Sequence, residues 1–253
     1  MTAPIAVQLY SLRAEASRDF PAVIERLGRI GYAGVELAGL NGMAPAELRQ
    51  RLEDAGLEIA SAHVSAPIGE ARERVLDEQE ALGAKTLVVP FMPPDRFKTL
   101  DAISKVADEV NESFRNARAR GFSLGYHNHF WEFEISHDGK SAHELLFAQL
   151  DPAIFVELDT YWARVGGRDP AKLIAELGAR VHLLHLKDGP ADGFKSPMTA
   201  VGDGALDFPA IVAASDTVRW HIVELDACAT DMFEAIEKSY RYLVGRGLSR
   251  GRV

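Results

Sequence analysis

Cysteine is nearly missing. Cys228 is the only one in 253 residues, so no disulfide can form within the chain, and the expectation is a reducing, cytoplasmic setting. Long hydrophobic runs are missing too. None approaches the roughly 20 residues that span a bilayer, so no membrane partner is expected. Met1-Thr2-Ala3-Pro4 leads straight into the strand-like Ile5-Ala6-Val7-Gln8-Leu9. No basic segment precedes an apolar one there, and no signal peptide is read. Positive charge is scarce: 28 Lys and Arg face 37 Asp and Glu, for a net charge of −9. Apart from a small tail at Arg246, Arg250 and Arg252, no basic cluster offers phosphate contacts, so nucleic acid is not an expected partner. No Gly-rich phosphate loop follows the first strand run, which argues against a dinucleotide-binding open sheet. No linker or low-complexity stretch divides the chain, and residues 1–253 read as one domain.

What is present is an alternation. Strand-like runs lie near residues 5–9, 33–37, 58–63, 86–90, 122–127, 154–159, 181–186 and 219–225. Helical periodicity fills the intervals, clearest at 20–27, 100–118 and 230–243. Gly31, Gly56, Gly83, Gly121 and Gly178 stand at helix ends, and Pro45 and Pro170 where first turns begin. Thr86-Leu87-Val88-Val89 is almost wholly apolar, as a sheet covered on both faces requires. Eight strands alternating with helices over about 250 residues predict an α/β fold, a (β/α)8 TIM barrel, in preference to an open doubly wound sheet.

Polar residues gather where these strands end: Gln8 and Tyr10, Glu36, His63, Phe91, His127 and His129, Glu157 and Asp159, His185 and Lys187, Glu224 and Asp226. Barrel active sites are built at strand C-termini, and buried carboxylates and imidazoles are costly unless paired or metal-bound. Strands five to eight each offer a ligand-type residue at one height. His127, Asp159, His185 and Glu224 form a mixed N/O set suited to one divalent ion, Mn²⁺, Co²⁺, Fe²⁺ or Zn²⁺, rather than Ca²⁺. Any one of these residues alone would more simply be a structural hydrogen-bonder; four in register are harder to explain that way. The period of two puts Glu157 with Asp159, and His185 with Lys187, on one face. His182 is expected to face the helices. His137, His143 and His221 are read as surface or packing residues. His127 and His129 remain open as alternative ligands.

The pieces Tyr126-His127-Asn128-His129, Leu158-Asp159-Thr160-Tyr161-Trp162, His185-Leu186-Lys187-Asp188 and Gly202-Asp203-Gly204 resemble the xylose isomerase-like superfamily, in its sugar phosphate isomerase/epimerase branch. Ketose 3-epimerases, hydroxypyruvate isomerase, inosose dehydratase and endonuclease IV belong there. The resemblance runs from Val7-Gln8-Leu9-Tyr10 to Val223-Glu224. In such epimerases Glu, Asp, His and Glu from strands five to eight hold the metal. Asp159, His185 and Glu224 match, whereas His127 stands where the glutamate would be, as in inosose dehydratase. The trinuclear set of endonuclease IV finds too few ligands here.

The resemblance implies a metal-dependent isomerase or epimerase acting on a keto-sugar or keto-polyol through an enediolate. The alternatives are a dehydratase of the inosose dehydratase type and a catalytically silent sugar-binding barrel. Glu224, Glu157 and Lys187 are the candidates for proton transfer, although Glu157 could instead support a histidine and Lys187 could pair with Glu157 or Asp188. Gln8, Tyr10, Glu36, His63, His129 and Trp162 are the candidate substrate contacts. Trp131 and Tyr161 add aromatic surface. No phosphate-gripping loop is evident, so the substrate is expected to be unphosphorylated. A homo-oligomer is compatible with the sequence.

Overall fold

The alternation of apolar strand runs and amphipathic helices becomes a closed ring in the computed structural model, which describes residues 2–214 and 216–252. Met1 lies outside the described residues. The strands are β1 (Ile5–Gln8), β2 (Gly34–Leu37), β3 (Glu58–His63), β4 (Thr86–Val89), β5 (Ser123–His127), β6 (Phe155–Asp159), β7 (Val181–Leu186) and β8 (Trp220–Val223). Each pairs in parallel with its sequence neighbours, and β8 closes on β1. This is the (β/α)8 TIM barrel that the alternation predicts. The outer layer includes α1 (Arg13–Ile30), α2 (Pro45–Asp54), α3 (Arg72–Leu82), α4 (Leu100–Ala119), α5 (Ala142–Phe147), α6 (Pro170–Leu177), α7 (Phe208–Ala213) and α8 (Met232–Gly245). Pro45 and Pro170 are the first residues of α2 and α6, where a missing N–H breaks no helical bond.

Outward strand residues such as Val35, Leu87, Leu124, Val156, Leu158 and Leu184 pack under the helices in the larger core cluster. The barrel floor is a separate cluster of Ala6, Ala60, Val88, Phe155, Leu183 and Ile222, with Trp220 against it. Phe155 fills space that Gly125 leaves: a Cβ on Gly125 would run into the Phe155 ring. Above this floor every inward position from β5 to β8 is polar.

Two register irregularities bend this plan, one between β2 and β3 and one between β6 and β7. In the second, Val156 pairs with Val181 but Glu157 with Leu183, so His182 is the extra residue. A bulge turns a side chain away from strict alternation. His182 accordingly stacks on Phe155 of the floor, with ring centroids 4.9 Å apart, which corrects the expectation that it faces the helices. A short antiparallel ladder, Ser136–His137 with Lys140–Ser141, is inserted after β5. No helix among the described residues is long and apolar enough to cross a membrane.

Candidate active site

Period-two geometry delivers the site. On β6 Phe155 enters the floor, so Glu157 and Asp159 rise above it on the same face. Asp159 pairs with His185, and His185 with Ile222, across the ladders. Glu224 and Asp226 follow directly on β8, beyond its last residue, Val223. Asn128 points the other way and ties two strand ends together: its Oδ1 accepts from Asp159 N at 3.0 Å and its Nδ2 donates to Asp159 O at 3.3 Å. Asp159 Oδ1 caps the short helix Thr160–Val165, accepting from Trp162 N at 2.7 Å.

Ligand atoms of His127, Asp159, His185 and Glu224 all lie within 4.8 Å of one another, and all four residues are buried. His129 is outside this set. Asp159 Oδ2 sits 3.7 Å from His127 Nε2 and 2.9 Å from Lys187 Nζ, yet no donor is aligned to hydrogen-bond it. A buried carboxylate oxygen without an aligned donor, among two imidazoles and a second carboxylate, fits a divalent cation. A second constellation, His63, His127, Glu157 and His185, lies within the same span. It shares both ring ligands with the first. Glu157 is fully buried and absent from the cavity wall, whereas Glu224 and His127 line that wall. Substrate can therefore reach the first set directly.

Beneath the first set lies a hydrogen-bonded support. His185 Nδ1 is 2.7 Å from Glu224 Oε2, and its Nε2 is 2.6 Å from Glu36 Oε2. Glu36 is held by Gln8 Nε2 at 2.7 Å and by Ser61 Oγ at 2.6 Å. Glu157 Oε2 is 2.7 Å from His63 Nε2 and 3.1 Å from His127 Nδ1. Carboxylates behind ligating imidazoles fix ring orientation and raise ligand basicity. Burial pushes the His127 ring down to about 3, with His185 adding to the effect against the pull of Glu157. Burial presses His185 the same way, but Glu157, Glu36 and Glu224 raise it well above its ordinary value.

Lys187 is almost completely buried, with Nζ 2.7 Å from Glu224 Oε2, 2.8 Å from Asp226 Oδ2 and 2.9 Å from Asp159 Oδ2. Burial favours its neutral form, but Asp159, Asp226 and Glu224 hold the ammonium charged, with its pKa well above the ordinary value. Burial likewise raises Glu224, but Lys187 and His185 overcome it and keep the carboxyl well below the usual carboxylate range. Lys187 thus pairs with Asp159, Glu224 and Asp226 rather than with Glu157 or Asp188.

The cavity above has a volume of about 500 Å³ and is lined by Tyr10, His63, Phe91, His127, His129, Lys187, Glu224 and Asp226, among others. Among the described residues, Lys187 is the only lysine or arginine in that lining. His129 stacks on Trp131 with centroids 4.3 Å apart, and Phe91 meets both rings edge-on. The structure therefore brings Tyr10, His63 and His129 to the cavity. Gln8, Glu36 and Glu157 lie a layer below, and Trp162 is buried with its ring 5.4 Å from Lys187 Nζ. None of these four is in the cavity lining. Ser61, two residues before His63 on the same face, escaped the sequence reading, although its spacing was a usable signal. In the sequence Asp226 stands out only as a strand-end residue.

A family model described as "Xylose isomerase-like TIM barrel" matches residues 24–229. Inosose dehydratase from Geobacillus kaustophilus is 26% identical over 249 residues, covering 81% of this chain and 79% of the relative. Inosose dehydratase from Bacillus cereus is 26% identical over 270 residues, covering 90% of each. A solved structure described as a sugar phosphate isomerase/epimerase from Parabacteroides distasonis superposes with a TM-score of 0.81 at 26% identity, covering 99% of this chain and 96% of the other.

Proposed function

The chain belongs to the xylose isomerase-like TIM barrel family, and on that premise we propose that it is a metal-dependent dehydratase of an unphosphorylated keto-sugar or keto-polyol. The observation that carries this reading is the pairing of one ionised carboxylate, Glu224, with one ammonium, Lys187, 2.7 Å apart in the cavity wall. Loss of a β-hydroxyl needs one base and one leaving-group acid, and these two groups supply both. The relatives named inosose dehydratase support the same outcome.

His127, Asp159, His185 and Glu224 would hold one divalent ion. That ion supplies Lewis-acid stabilisation of the negative charge that develops on the carbonyl oxygen. Glu224 takes the proton from the carbon next to the ketone, and the C–H electrons form the new double bond. As the β-hydroxyl leaves with its bonding electrons, Lys187 gives it a proton and water departs. Lys187 is a weak acid in this setting, so the transfer is downhill only as the departing oxygen gains charge. Asp226 Oδ2, partly open to solvent, stands 2.8 Å from Lys187 Nζ to guide its reprotonation. Glu36 and Glu157 keep the imidazoles oriented without touching substrate. Tyr10, Phe91, and His129 backed by Trp131 offer flat surface to the C–H face of a sugar. With Lys187 the only lysine or arginine among the described residues of the lining and already flanked by three carboxylates, a phosphoryl group in this cavity finds no free lysine or arginine to grip.

A second reading is isomerisation or epimerisation, the outcome that the family resemblance of the sequence implies. Asp226 favours it, as a second carboxylate at the cavity edge able to move a proton. Product analysis separates the two. Metal-loaded protein is incubated in D2O with inososes and ketoses and followed by NMR. Water loss from an inosose supports the proposal. An epimer or aldose–ketose interconversion replaces it with the second reading, and tight binding without exchange leaves a silent sugar binder.

A further inference from the structure

The two carboxylates at the cavity edge stand past the end of the sheet. The β1–β8 ladder stops where Val7 pairs with Val223, and Glu224, Leu225 and Asp226 run on beyond it. On the β1 side, side chains take over from the ladder. Leu225 N donates to Ser11 Oγ at 3.0 Å, and Arg13 Nη2 donates to Asp226 O at 2.8 Å. Asp226 N donates to Met198 Sδ at 3.3 Å, and a thioether is a weak acceptor. Arg13 opens α1 directly after the short helix Leu9–Leu12. Its Nη1 donates to Tyr10 O at 2.9 Å, and its guanidinium carbon lies 4.2 Å from the centroid of the Tyr10 ring. One planar fork thus ties together a residue from each end of the chain, Tyr10 and Asp226, and both line the cavity. A lysine ammonium lacks this fork.

Asp226 matters through Lys187. In the proposed reaction Lys187 gives up a proton at each turnover, and it is almost completely buried, so the proton must return through a neighbour. Of its three carboxylate partners, Asp159 and Glu224 have side chains 0% and 6% exposed, whereas that of Asp226 is 36% exposed. Asp226 is the one that meets solvent and Lys187 together, with Oδ2 2.8 Å from Nζ. Its carbonyl and its side chain hang from one Cα, so a clamp on the carbonyl limits how far Oδ2 swings away. Displacing a working group by an ångström can cost about 10²-fold in rate. We propose that Arg13 is a positioning residue for water loss: it stands outside the cavity lining, and by holding the Asp226 backbone it keeps the proton entry aligned on Lys187. The inference rests on the reading of Glu224 and Lys187 as base and acid. Glu224 has anchors of its own in His185 and in Leu186 O, which accepts from Glu224 N at 3.3 Å. Proton removal therefore depends less on Arg13 than water loss does.

The test is NMR of an inosose in D2O with Mn²⁺-loaded wild type, Arg13→Ala, Arg13→Lys, Asp226→Asn and the double variant that combines Arg13→Ala with Asp226→Asn. Each sample yields one ratio, the deuterium gained next to the ketone in recovered substrate against the product formed by water loss. The ratio should rise about tenfold in each single variant. In the double variant it should stay within about twofold of Asp226→Asn alone, since a clamp has no effect once the group it holds is gone. Arg13 is exposed, so its variants should fold, and melting curves check that. A general loss of structure would slow exchange and water loss together and leave the ratio where it was. The inference is overturned by a wild-type ratio in Arg13→Ala, by a wild-type ratio in Arg13→Lys, or by effects that multiply in the double variant. Failure of the underlying reaction looks different. Wild type that loses no water removes the assignment of base and acid, and the inference with it. Wild type that loses water, with an unchanged ratio in Arg13→Ala, sinks the inference alone.

Discussion

At Asp159 one carboxylate serves two purposes, capping a helix through Oδ1 and facing the ligand set through Oδ2. Burial pushes this carboxyl up to about 6, against the pull of Lys187 and His185. His143 shows the opposite case, a titratable ring used only for packing. It is wedged between Phe133 and Phe147, with centroids 4.7 and 4.5 Å away. Burial, reinforced by Arg168, pushes it down to about 3. In the unfolded chain it titrates near 6.5. Between those values the unfolded state binds a proton that the folded state refuses. The ring's contribution to stability is therefore full above about pH 6.5 and is lost as pH falls towards 3. At pH 4.5 this one ring should cost up to about 3 kcal/mol. His143→Phe should narrow the gap in melting temperature between pH 7 and pH 4.5 by several degrees, at about 2–4 °C per kcal/mol for a chain of this size. A gap as wide as that of wild type would contradict the account of His143.

Among the elements, the segment after β7 is organised by one side chain. Asp188 accepts from the backbone N–H groups of Gly189 and Leu206 through Oδ1, at 2.9 and 3.3 Å, and from Gly202 and Gly204 through Oδ2, both at 2.9 Å. A Cβ on Gly204 would collide with that carboxylate, and Gly202 has a positive φ and sits against the Tyr242 ring, which together explain the Gly-Asp-Gly run in the sequence. Asp188→Ala should deprive four backbone N–H groups of their acceptor and speed limited proteolysis within residues 189–206 by roughly tenfold, equivalent to about 1.4 kcal/mol, because the exposed donors at Gly202 and Gly204 can turn to water. Wild-type cleavage rates would refute this role. Strand positions, strand order and the His127, Asp159, His185 and Glu224 set were legible in the sequence because parallel strands alternate strictly and barrel sites sit at strand ends. Depth was not legible. Gln8 and Glu36 read like cavity residues, but they satisfy each other and His185 a layer below. The bulge at His182 leaves no mark in the spacing of polar residues, since it arises from how β6 and β7 pair rather than from either strand alone.

For the molecule as a whole, the closed barrel gathers acidic residues around a few cations at one mouth. Five carboxylates, from Glu36, Glu157, Asp159, Glu224 and Asp226, lie with Lys187 and the four imidazoles of His63, His127, His129 and His185 in and beneath the cavity. This is more buried negative charge than a structural core has any use for, in a chain whose net charge is −9. In the proposed reaction that charge serves a divalent ion and one proton-abstracting carboxylate. The most direct measurement is deuterium incorporation next to the ketone of an inosose, followed by NMR, in wild type with and without added Mn²⁺ and in Glu224→Gln with Mn²⁺. Exchange is expected in metal-loaded wild type, with loss of exchange on removal of the ion and a fall of about 10²–10⁴-fold in the variant. Exchange as fast in Glu224→Gln as in wild type, or as fast without the ion as with it, would contradict the proposed reaction.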